Sequence, residues 1–148
     1  MKTIWPQINA DEHRFLHSDL TDKIIGVYYE VYNELGHGFL ESVYSEAMVW
    51  ALKAAGLSVE RESLLNVWFR GEPLAQFRAD LIVNKLVLLE LKAAKSVEPV
   101  FEAQLLNYLR ATEIEVGLLL NFRPRPVVRR LVFSNDRKNQ RSSALISG

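Results

Sequence analysis

An acid and a base close the most apolar short run of this 148-residue chain, Leu86-Val87-Leu88-Leu89-Glu90-Leu91-Lys92. A continuous apolar run of this kind predicts a central strand buried on both faces. An unpaired carboxylate or ammonium in such a place costs several kcal/mol. Glu90 and Lys92 are two residues apart and share one strand face with Leu86 and Leu88. That face turns from apolar to charged, as a sheet does where its core gives way to a cleft. A second acid, Asp80, lies ten residues before Glu90 in Gln76-Phe77-Arg78-Ala79-Asp80-Leu81-Ile82-Val83.

Two carboxylates and a lysine at one notch suit metal-assisted hydrolysis. Magnesium takes oxygen ligands, usually one or two carboxylates together with waters and substrate phosphate oxygens. Asp80 and Glu90 would supply the carboxylates, and the backbone carbonyl of Leu91 a third oxygen. The ion lowers the pKa of a bound water and neutralises charge on a phosphorus centre. Lys92 would position the attacking water or hold charge in the transition state, a role suited to its compact ammonium. The competing reading is a hairpin that carries an ordinary surface ion pair.

For the two acids to cooperate, the connection at Asn84-Lys85 must have a particular length. Two strands joined so closely form an antiparallel hairpin. A two-residue loop pairs Val83 with Leu86 and sends Asp80 and Glu90 to opposite faces. A three-residue loop over 84–86, or a bulge, pairs Val83 with Val87 and sets Asp80 opposite Glu90.

The rest of the chain must position this hairpin. A helical stripe of Ile24, Tyr28, Val31 and Leu35 predicts a helix from Leu20, capped by Ser18 or Thr21 and ended at Gly36. Glu30 within it reads as a solvated or ion-paired side chain. A second helix is expected from about Phe39 to Ala55, closed by Gly56. Glu41, Tyr44 and Met48 share one of its faces, and a carboxylate so near the helix start could simply answer the helix dipole. Strands are expected over Ser58–Phe69, Leu74–Val83 and Leu86–Lys92. A third helix runs from about Glu98 to Ala111, with Ser96 as cap and Pro99 in its first turn. Gln104 and Tyr108 share a face of it. Val116–Phe122 reads as another fully buried strand, parallel to the Leu86 strand because a helix separates them. A last strand spans Val127–Phe133. Residues 1–17 and 135–148 read as loose tails. His13 and His17 stand at i and i+4 but have no third ligand nearby, so a solvated tail is preferred to a metal site.

Length and composition set the outer bounds. The chain is long enough for one domain with a proper core. Its formal net charge is zero, so no global field draws it onto nucleic acid and a local patch would have to do so. Without cysteines it has neither disulfides nor Cys-ligated zinc. No run approaches membrane-spanning length and the N-terminus lacks a signal-peptide core, so a cytoplasmic protein without membrane contact is expected.

Several segments in one order resemble a known family. Gly38-Phe39-Leu40-Glu41-Ser42-Val43-Tyr44 matches the signature of the GxxExxY proteins, a branch of the PD-(D/E)XK nuclease superfamily. Thr21-Asp22-Lys23-Ile24-Ile25-Gly26, Phe77-Arg78-Ala79-Asp80-Leu81, Leu89-Glu90-Leu91-Lys92-Ala93, Glu102 to Leu109 and Gly117 to Phe122 belong to the same pattern. His37 departs from it, standing where the family often has proline.

The resemblance implies an α/β fold, with a central mixed β-sheet flanked by helices on both faces. It also implies a Mg²⁺- or Mn²⁺-dependent nuclease site. Asp80 and Glu90 become metal ligands and Lys92 the catalytic lysine. Glu41 becomes a further acid entering from outside the sheet, and Gln104 with Tyr108 a helix-borne support. Tyr44, one turn after Glu41, either meets a ligand or phosphate or packs.

A nucleic-acid substrate, DNA or RNA, needs basic contacts to phosphate. Arg123, Arg125, Arg129 and Arg130 form the densest basic cluster, and Lys95 follows the catalytic strand. The competing reading of the cluster is a solvated loop and a charge-protected edge strand. A homodimer would supply the two active sites that duplex cleavage usually needs. The alternative to a nuclease is a binding or scaffold protein that keeps the fold without turnover.

Overall fold

The computed structural model describes residues 16–138. Its elements in chain order are α1 (Ser18–Leu35), α2 (Glu41–Ala54), β1 (Val59–Phe69), β2 (Glu72–Val83), β3 (Val87–Lys92), α3 (Pro99–Ala111), β4 (Val116–Asn121) and β5 (Val127–Val132). The five strands form one sheet in the order β1-β2-β3-β4-β5. Only the β3–β4 pair is parallel, as its intervening helix requires; the other three pairs are antiparallel. The result is a mixed sheet with helices on both faces.

The two apolar runs form the centre of this sheet. Every residue of β4 is buried, as are Val87 to Leu91 of β3. On one face α1 and α2 cover Leu81, Val83, Val87, Leu89, Leu91, Val116, Leu118 and Leu120 with Ile24, Tyr28, Tyr44, Met48 and Leu52. On the other, α3 covers the smaller set of Ala79, Ile82, Leu88 and Leu119, chiefly with Leu105. Tyr28 reaches through the larger core and donates to the carbonyl of Asn121 at 2.5 Å. This satisfies a buried hydroxyl at the end of β4.

Helix α3 packs tightly on β4 at Gly117. A Cβ built there would lie 2.9 Å from Leu105 Cδ1, and Leu105 is itself fully buried. Gly117→Val is therefore expected to destabilise the fold by about 1–3 kcal/mol through overpacking. Urea unfolding would measure the loss, and pairing the change with Leu105→Ala should recover part of it. A neutral Gly117→Val would contradict this packing.

The boundaries differ from expectation at four places. Neither Ser18 nor Thr21 caps α1 with its side chain; His17 precedes the helix in a left-handed conformation, and Thr21 Oγ1 donates back to Ser18 O at 3.2 Å. The second helix starts at Glu41, so Phe39 and Leu40 lie before it. No side chain caps α3, and Ser96 gives only its carbonyl, to Asn121 Nδ2. The C-terminal segment is ordered further than composition suggested. Residues 135–138 make a helical turn, and Lys138 Nζ donates to the carbonyls of Thr112 (2.7 Å) and Ile114 (2.9 Å). The remaining tail positions, including His13, lie outside the described residues.

Candidate active site

The β2–β3 turn decides whether the two acids can meet. Val83 pairs with Val87, Ile82 with Leu88 and Leu81 with Leu89, so the connection holds three residues, Asn84 to Leu86. Asn84 and Lys85 both adopt positive φ, 52° and 58°, and Leu86 N–H donates to Val83 O at 3.0 Å. Asparagine tolerates the left-handed region. Here it is also tied to β1, its Oδ1 accepting from Ser58 N–H at 2.9 Å. Leu86, expected in the strand, is therefore a turn residue and half exposed.

This register continued by one residue sets Asp80 opposite Glu90. The ladder stops there because Asp80 itself accepts the next donor, Leu91 N–H, on Oδ2 at 2.8 Å. Glu90 is only 8 % exposed, and its Oε1 is buried without a hydrogen-bond partner.

Burial is the main force on both acids. It raises the Asp80 pKa, against the opposing pull of the Leu91 N–H and the Lys92 charge. It pushes Glu90 up to about 8, assisted by the neighbouring Asp80 charge and opposed by Lys92. Two close carboxylates in a low-dielectric site do not both ionise readily. At neutral pH burial and mutual repulsion therefore favour a proton on the metal-free pair.

Lys92 ends β3 on the same face. Its ammonium lies 4.8 Å from the centroid of the Phe101 ring, in the first turn of α3. One turn along α3, Gln104 Nε2 donates to the Tyr108 hydroxyl at 2.6 Å. The Tyr108 ring stacks on Phe77 of β2 at 3.5 Å between centroids. Burial raises the Tyr108 pKa, and the charges of Glu90 and Asp80 raise it further, so this hydroxyl lies within electrostatic range of both acids. Asp80, Glu90, Lys92 and the Gln104–Tyr108 pair thus lie together on the α3 side of the sheet.

Glu41 and Tyr44 are not brought there. Glu41 is exposed in the first turn of α2, and the buried residues of that helix belong to the core on the opposite sheet face. No group of three or more His, Cys, Asp or Glu among the described residues is placed to hold a metal, so Glu41 does not complete a three-acid set. Tyr44 packs: it is fully buried, donates to Gly36 O at 2.6 Å, accepts from Phe39 N–H at 3.2 Å and stacks on Phe122. It fixes the Gly36–Phe39 turn and has no surface left for substrate.

The basic candidates divide. Arg123 Nε donates to the carbonyl of Lys95 at 3.1 Å, which brings the loops after β3 and β4 together. Lys95 and Arg125 are exposed. Arg129 is engaged by Glu102 at 3.0 Å, and Arg130 donates to the carbonyl of Leu16. These last two serve the fold.

Sequence reasoning missed three residues that shape the cleft. Phe77 entered only as part of a matching segment and Phe101 not at all, because an aromatic side chain in a strand or helix ordinarily packs in a core. Asn121 did carry one, as a polar residue ending an otherwise apolar buried strand. It is 1 % exposed; its Oδ1 accepts from Ala94 N–H at 3.1 Å and its Nδ2 donates to Ser96 O at 3.5 Å. Asn121 thereby clamps the loop between Lys92 and α3.

A mixed five-stranded sheet with an acid pair and a lysine beside its central parallel strands defines a nuclease-type core. The chain belongs to the PD-(D/E)XK nuclease superfamily, whose family model matches residues 18–131. Its fold is also similar to the crystal structure of SSO0001, with a TM-score of 0.50 and 18 % sequence identity. That similarity covers 73 % of this chain and 59 % of the other, so this chain spans about three-fifths of its length. No curated protein matches the sequence.

Proposed function

We propose that this protein hydrolyses phosphodiester bonds of nucleic acid with a divalent metal ion, Mg²⁺ or Mn²⁺, held at Asp80 and Glu90. One observation carries the reading: the strand register sets half-buried Asp80 opposite buried Glu90, and one oxygen, Glu90 Oε1, is buried without a hydrogen-bond partner. Evolution rarely leaves such an atom unsatisfied without a use. An all-oxygen donor set with two carboxylates fits magnesium, which takes one or two protein carboxylates and fills its remaining positions with water and phosphate oxygens. Nucleases of this superfamily typically use divalent metals. The Gly38 to Tyr44 segment favours the GxxExxY branch.

When bound, the metal supplies Lewis acidity toward the phosphate and a water of lowered pKa. The chain's own groups do the rest. Asp80 and Glu90 would hold the cation as carboxylates, with Glu90 deprotonated. Leu91 would offer its backbone carbonyl as a further oxygen. Lys92 orients the attacking water or neutralises charge on the phosphorane oxygens. Tyr108, held by Gln104 and Phe77, faces the same cleft and supports the scissile phosphate. Lys95, Arg123 and Arg125 form the basic border along which the backbone of the nucleic acid runs.

Supercoiled plasmid, single-stranded DNA and RNA, each incubated with Mg²⁺ or Mn²⁺, test this directly. The parent should cleave at least one of them. Asp80→Ala should lose about 10³-fold or more, as expected when a metal contributing several kcal/mol is no longer held. Activity surviving that substitution would count against the assigned site. A parent that cuts none of the substrates would favour a protein that keeps the fold for binding alone.

A further inference from the structure

Lys92 is close enough for its charge to act on both acids, yet no ion pair joins it to either among the described residues. Its ammonium rests over the Phe101 ring instead. An ammonium beside two carboxylates in a low-dielectric cleft would be expected to close onto them. In doing so it would occupy the place of a metal. The face of the Phe101 ring supplies a competing attraction at 4.8 Å.

The ring is itself held in place. Lys92 pairs with Asn121 across the parallel β3–β4 ladder, and Phe122 N–H donates to Lys92 O at 2.8 Å. The side chain of Asn121 grips Ala94 and Ser96 of the connecting loop. Phe101 N–H donates to Glu98 O at 3.0 Å, and its ring packs against the Leu88–Leu105–Leu119 core. Strand end, loop and first helical turn are therefore braced against one another. The position of the Phe101 ring relative to the end of β3 is a property of the framework.

The geometry points to Phe101 as a positioning residue. It parks the Lys92 ammonium off the Asp80–Glu90 pair, leaving both carboxylates to a divalent cation while keeping the lysine beside the reaction site. The inference rests on the metal site proposed above and adds how this chain keeps that site from being neutralised by its own lysine.

The test is Mn²⁺ binding to the full chain, followed by electron paramagnetic resonance, together with the proton resonances of the Lys92 ε-methylene. Phe101→Leu should weaken Mn²⁺ binding roughly fivefold, the scale of one cation–π contact. Phe101→Tyr should keep the parent affinity. In a Lys92→Met background Phe101→Leu should change nothing, because the ring acts through the lysine. The ε-methylene should be shifted upfield by the ring in the parent and in Phe101→Tyr, and lie at its ordinary position in Phe101→Leu. Equal losses of affinity in both backgrounds, or no upfield shift in the parent, would overturn the inference. Coupled Mn²⁺ binding without cleavage of any nucleic acid would leave the role of Phe101 standing and remove the nuclease reading. Cleavage by Phe101→Leu at the parent rate with unchanged Mn²⁺ affinity would do the reverse.

Discussion

Glu90→Gln should abolish metal-dependent cleavage while making the metal-free protein more stable at alkaline pH. The two effects have one cause. Burial and the Asp80 charge raise the Glu90 pKa from the ordinary carboxylate range to about 8. A group whose folded pKa lies above its unfolded value favours the fold below the unfolded pKa. That contribution is lost as pH rises through the folded pKa. The metal-free parent should therefore lose thermal stability between about pH 5 and pH 9. Asp80, also shifted upward, adds to the same trend. A glutamine has no charge to bury, and its amide can donate to Asp80, so the variant should pass through this window nearly unchanged. The difference at pH 9 should reach a few kcal/mol at most. Mg²⁺ should raise the parent's midpoint most at high pH, where Glu90 is already ionised, and leave the variant's midpoint nearly where it was. Parallel pH profiles for the two proteins would show that Glu90 does not carry the buried charge.

Lys92→Met should lower kcat by about 10²–10⁴-fold, the usual range for losing a group that orients or transfers a proton in the transition state. Methionine keeps an unbranched apolar stem as far as Cε while removing the ammonium. Because Lys92 is not a metal ligand in this account, Mn²⁺ affinity should hold or improve, and KM should change little. Single-turnover cleavage with parallel Mn²⁺ titration separates the two quantities. A Lys92→Met protein that cleaves within tenfold of the parent would remove the lysine from the chemistry.

Much of this architecture is readable from hydrophobic pattern. The β3 and β4 runs are buried on both faces, so they appear as unbroken stretches of Leu and Val. The helix between them forces parallel pairing. The acid pair was legible for the complementary reason, since a carboxylate at the end of such a stretch needs an explanation. Its geometry depended on one residue of turn length, which Asn84-Lys85 favours but does not dictate. Two left-handed residues followed by Leu86 resolved it in favour of Asp80 facing Glu90.

Side-chain roles on helices were less accessible. Glu41 and Tyr44 lie one turn apart, and spacing alone cannot say that the tyrosine turns into the core while the carboxylate stays in solvent. Capping failed for a similar reason. Ser18 and Thr21 have the right chemistry, but the chain enters α1 through a left-handed His17 that leaves neither in capping geometry. The Phe77–Tyr108 stack and the Phe101–Lys92 contact join residues distant in sequence, and no local pattern encodes them.

The central claim is that Asp80 and Glu90 jointly bind a divalent cation. Anomalous diffraction from crystals soaked in Mn²⁺ tests it most directly. A single strong peak should lie within bonding distance of one oxygen from each carboxylate, and should vanish in Asp80→Ala. A peak elsewhere on the molecule, or no anomalous peak between the two carboxylates, would contradict it.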